Sequence, residues 1–145
     1  MLLPALVLAC AVTLPNQTVP AAAGFGREGF NYGNDRMRAA LYWPRGTLVA
    51  GIRPDGGSSA TVNRDGSVSA KVGWWRGVPG KLVVVGRRLD AAAPPLRARV
   101  PTGYDQWGFQ ATGLTFPTVG CWRVTGIAQR ERLSFVVRVA KLKRR

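Results

Sequence analysis

The chain contains no histidine. That gap removes the serine–histidine and cysteine–histidine dyads and every imidazole metal ligand. Acids are scarce as well, 7 in 145 residues. Most of them sit beside turn-forming residues: Asp35 follows Asn34, Asp55 and Asp65 precede glycine, and Asp90 precedes a Pro-rich loop. Aspartate in such places usually bonds local backbone. Asp90 and Asp105 could face each other as a carboxylate pair only across loops, and nothing in the sequence requires it. Neither a G-x-S-x-G nor an S-x-x-K motif occurs. The sequence therefore predicts a protein that is not an enzyme and uses no cofactor.

Cysteine is nearly absent too. The chain has two, Cys10 and Cys121. Cys10 falls in an uncharged segment, "MLLPALVLACAVTLPNQTVPAAAG", whose apolar stretch runs from Leu2 to Leu14. That stretch is shorter than the roughly 20 apolar residues a membrane-spanning helix needs, but it suits the core of an export signal. Two readings stay open. Ala21–Ala23 offers small residues for cleavage before Gly24, and "VLAC" is an imperfect lipobox in which Cys10 would carry the lipid. Neither has a basic segment ahead of it. Under either reading Cys121 stands alone, an intramolecular disulfide is excluded, and Cys121 is expected to be a small packing residue at the start of a strand.

Helical periodicity is missing as well, and 18 glycines with 10 prolines argue against long helices. In its place, short apolar and β-branched runs alternate with Gly, Pro, Asn and Asp. "MRAALYW", "TLVAGIR", "ATVN" and "SVSAKV" (around the turn Arg64-Asp65-Gly66), "KLVVVGRR", "LRARV", "GFQATGLTF", "CWRVTGIAQ" and "RLSFVVRVAKL" read as eight or nine strands. Their spacing predicts an all-β sandwich. The last two alternate most regularly. Trp122 and Val124 share one face, as do Phe135 and Val137, so an antiparallel pair turning at Gln129-Arg130-Glu131 would bury all four.

The segments "GWWRG" (73–77), "GRRLD" (86–90) and "FPTVGCWRVTG" (116–126) resemble a family of uncharacterised bacterial secreted proteins and lipoproteins with an immunoglobulin-like β-sandwich. The resemblance implies a fold and an extracytoplasmic location. It brings no catalytic residues. The expected organisation is a signal segment over 1–23, a flexible start over 24–33, an Ig-like sandwich over 34–140 and a basic tail over 141–145.

What the chain has in abundance is positive charge, 21 Lys plus Arg for a net +14. That favours anionic partners such as an envelope polymer, a glycan or another envelope protein, with the "KLKRR" tail as a membrane contact. No nucleic-acid-binding motif accompanies it, and the pairs Arg36/Arg38, Arg97/Arg99 and Arg123/Arg138 are expected to alternate onto solvent faces. The pattern Gly24-x-Gly26-x-x-Gly29 lacks the strand and helix that a dinucleotide site requires. Adjacent Trp74 and Trp75 on a strand point to opposite faces, so one can be exposed beside Arg76 and stack on a sugar ring. Trp43 and Arg45, flanking Pro44, are further candidates for a partner surface. Burial of the tryptophans as plugs of the core is the favoured alternative.

Overall fold

A computed structural model describes residues 10–19 and 26–143. These residues are all-β, with ten strands among them in two packed sheets. They are β1 (Asn31–Gly33), β2 (Met37–Ala40), β3 (Thr47–Ala50), β4 (Thr61–Val62), β5 (Val68–Arg76), β6 (Leu82–Arg88), β7 (Arg97–Arg99), β8 (Gly108–Phe116), β9 (Gly120–Ala128) and β10 (Glu131–Lys141). The larger sheet runs β1-β2-β5-β8-β7, with β4 beside β5 beyond the end of β2. The smaller runs β3-β10-β9-β6, and within it β3 and β10 pair parallel.

The alternation of residues decides which faces meet. Val68, Ala70, Val72 and Trp74 of β5 are buried, as are Trp122 and Val124 of β9 and Phe135, Val137 and Val139 of β10. The β9–β10 hairpin turns at Gln129-Arg130, with Phe135 opposite Val124 and Val137 opposite Trp122. Phe116 meets Trp122 edge-on at 5.5 Å, and Tyr32 stacks on Phe135 at 4.3 Å. The buried Trp74 indole keeps its polar atom satisfied: Nε1 donates to Thr112 Oγ1 at 3.0 Å, and that hydroxyl donates to the Val72 carbonyl at 2.8 Å.

Three sequence expectations need correction here. Asn31–Gly33, expected to be part of a flexible start, forms β1, and β10 continues to Lys141. Arg38, expected on a solvent face, is 0% exposed. Gly26 lies against its Cδ, and Arg38 pairs with Asp35 at 3.0 Å.

The largest correction concerns the cysteines. Cys10 and Cys121 form a disulfide with a Cα–Cα distance of 5.4 Å, spanning 111 positions. Cys121 is buried but is not a free thiol, and the Cys10 sulfur is not available for a lipid. The pairing was hidden because Cys10 sits in an apolar run that reads as disposable.

Beyond the disulfide, residues 10–19 form a strap that ties the two sheets together. Thr13 exchanges hydrogen bonds with the Val136 backbone of β10, its N–H donating at 2.9 Å and its hydroxyl accepting at 2.9 Å. Asn16 then bonds to β1: its N–H donates to the Asn31 carbonyl, and its side chain donates to Asn31 Oδ1 and the Gly33 carbonyl. The Tyr32 hydroxyl donates to the Thr13 carbonyl at 2.6 Å. Burial pushes that phenol up to about 12, which keeps it a donor across ordinary pH.

Candidate functional site on the outer face of the larger sheet

The residues singled out from the sequence separate on folding. Trp74 lies wholly in the core, and Trp43 is 2% exposed, so neither offers a binding surface. Arg76 is buried as well. Its guanidinium donates to the carbonyls of Gly80 at 2.7 Å and Gln106 at 3.0 Å, and to that of Asp105, clamping the loop before β8. Burial lowers its pKa, against the opposing field of Asp105. Arg45 is exposed, in a left-handed conformation at φ 54°. Trp75, half-buried, faces outward and stands opposite Phe109 of β8.

That outward face carries the features suited to a ligand. Near one end are Trp75, Phe109, Tyr104 and Trp107, with Tyr104 and Phe109 edge-on at 6.1 Å and Trp107 62% exposed. About 13 Å away, four residues back along β5, stands Lys71. There the register aligns Lys71 of β5, Gly113 of β8 and Arg99 of β7 in one row. The two basic residues thus flank a glycine, with Cα atoms about 10 Å apart across two strand spacings. Neither takes part in any of the ion pairs among the described residues.

Gly113 makes the floor of this row low. A side chain there would meet only the Cβ of Arg99, at 3.9 Å. Beside it opens a groove of about 530 Å³, walled by Tyr42, Ser58, Ser59 and Thr61 on one side and by Ser69 and Thr115 along the sheet. The Tyr42 ring is 63% exposed, and its carbonyl accepts from the Ser59 hydroxyl at 2.9 Å, which joins its loop to the 51–60 loop. The Asn63 amide donates to Ser69 Oγ at 2.8 Å, and Ser69 Oγ lies 3.0 Å from Thr115 Oγ1, so these hydroxyls are held in position. The neighbouring turn is fixed by Asp65. The Ser67 hydroxyl and then its N–H hold that carboxyl below the usual carboxylate range.

An aromatic ring, fixed hydroxyls and two cations in one groove can stack on a sugar ring, exchange hydrogen bonds with its hydroxyls and neutralise an acidic substituent. None of the residues lining the groove is a carboxylate, an imidazole or a thiol. Among the described residues no group of three Cys, Asp or Glu side chains gathers to hold a metal.

Sequence reasoning missed most of this site. Lys71 and Ser69 share a face by simple alternation, but their juxtaposition with Arg99 and Gly113 depends on strand order, which no local pattern encodes. No protein-family model, no curated protein and no solved structure matches this chain.

Proposed function

We propose that the protein is an exported, Ig-like, non-enzymatic binding domain of the cell envelope, and that it takes an acidic glycan on the outer face of its larger sheet. The observation that carries this reading is the row Lys71–Gly113–Arg99 at the foot of a hydroxyl-lined groove. Two unpaired cations about 10 Å apart across a notch match a chain of sugars bearing carboxylate or phosphate groups better than a neutral one. The exposed Tyr42 beside the groove and Trp107 further along the sheet add stacking surfaces.

Export is supported by the disulfide, because such bonds persist in oxidising compartments. It is also supported by the uncharged apolar sequence that precedes Cys10. The disulfide needs Cys10 to remain in the chain, so cleavage after Ala23 does not fit it.

An array of neutral and acidic polysaccharides tests the ligand class, followed by titration of the strongest binder. Acidic members should bind, and Lys71→Gln and Arg99→Gln should each weaken binding about tenfold, the scale of one charged hydrogen bond. Binding that ignores both substitutions, or an array with no acidic binder, would remove this reading.

A further inference from the structure

We propose that the opposite side of the sandwich, the outer face of β6, β9 and β10, docks on an anionic phospholipid surface. The face is built by three aligned rows. Arg87 of β6 stands directly opposite Arg123 of β9, which in turn faces Val136 of β10. Val85, Thr125 and Ser134 form the next row, and Val83, Ile127 and Arg132 the one after. Arg138 lies diagonally from Arg123, two residues beyond Val136.

All four arginines are exposed, and none takes part in any of the ion pairs among the described residues. Like charges directly opposite on neighbouring strands oppose folding. The Arg87–Arg123 pair is therefore unexplained by stability and points outward, to a partner that supplies negative charge.

The apolar residues narrow the choice of partner. Val83 and Val85 are 43% and 46% exposed among these arginines. A polyanionic strand has little use for them, whereas the boundary between headgroups and acyl chains receives both kinds of side chain. The shape fits as well. Three long strands about 4.8 Å apart make an open sheet face that can lie on a planar surface.

The test is co-sedimentation of the full chain with vesicles of phosphatidylcholine, with and without phosphatidylglycerol. Binding should require phosphatidylglycerol and fade with added salt. Arg87→Gln/Arg123→Gln should weaken it on the order of 25-fold, about fivefold per arginine, without lowering the melting temperature. Arg64→Gln/Arg97→Gln, which removes the same charge elsewhere, should retain most of the binding. Val83→Ser/Val85→Ser should also weaken it. Equal loss in both arginine doubles would show that net charge alone acts and overturn the proposal. So would the absence of vesicle binding, or tight binding to soluble polyphosphate that competes the vesicles away and ignores the valine substitutions. Because Lys71 and Arg99 lie on the other sheet, failure here leaves the glycan reading standing, and the converse holds.

Discussion

Trp74 and Gly126 meet where the two sheets face each other, the indole filling the space that a side chain at 126 would need. The relationship explains why an outwardly unremarkable glycine interrupts the apolar face of β9. It also explains why the first tryptophan of the pair enters the core and leaves Trp75 outside. Gly126→Ala should cost about 1–3 kcal/mol through overpacking. Gly113→Ala, on the open outer face, should leave the melting temperature within a degree or two of wild type, since small surface changes are usually worth less than about 0.5 kcal/mol. Thermal melts of the two variants side by side test the contrast. Equal destabilisation would mean that Gly113 is not an open floor.

The disulfide gives the next prediction. Closing a loop across 111 positions removes a large amount of freedom from the unfolded chain, about 4–5 kcal/mol in the chain-entropy account. A Cys10→Ser/Cys121→Ser variant should lose stability on that scale, far more than a small packing residue would. Denaturant midpoints measured with and without reductant should differ in wild type and coincide in the double variant. A peptide map under non-reducing conditions should recover Cys10 joined to Cys121.

These two cases mark where the fold was legible. The face assignments of β9 and β10 follow from strict alternation, because a period of two leaves Trp122 and Phe135 nowhere else to go. The disulfide did not follow, since an apolar run with small residues after it carries the composition of an export signal whether or not it also packs. Arg38 misled in another way. Alternation put it on the outer face correctly, but only the tertiary fold brings Gly26 and Asp35 against its side chain there. The groove at Lys71 and Arg99 was beyond reach for the same kind of reason. Its residues come from separate strands that only the sheet order brings into line.

Asp90 makes the fold sensitive to acid. Its carboxylate accepts Arg88 Nε at 2.7 Å and the Cys121 N–H at 3.1 Å, which fixes the start of β9 beside the disulfide. The Arg88 hydrogen bond, with the Cys121 N–H behind it and partial burial working against both, holds its pKa below the usual carboxylate range. A depressed folded-state value contributes stability above the unfolded value of about 3.9 and loses it as pH falls through the folded value. Asp90→Asn should therefore melt below wild type at pH 7, and the gap should close on titration below about pH 4. A gap that persists undiminished to pH 2 would show that the carboxylate charge is not what stabilises this corner.

Arg76 provides the last prediction, because the sequence offers it as a binding residue and the fold uses it as a clamp. Its guanidinium reaches the carbonyls of Gly80, Asp105 and Gln106 at once, from a strand end that is itself buried. Those carbonyls belong to the loops on either side of the sheet end, and the second loop leads directly into the exposed Trp107. Lysine offers one compact ammonium where arginine offers a planar fork, so Arg76→Lys cannot serve all three acceptors in the same geometry. A hydrogen bond from a charged group is worth about 1.5–3 kcal/mol. We expect Arg76→Lys to lose roughly 2–3 kcal/mol on that basis, and limited proteolysis to cut first within the 103–107 loop. Binding in the groove at Lys71 should be unchanged in the folded fraction, since the groove lies about 13 Å or more along the sheet. If Arg76→Lys instead keeps its stability and loses ligand, Arg76 is part of the binding surface after all and the clamp is incidental.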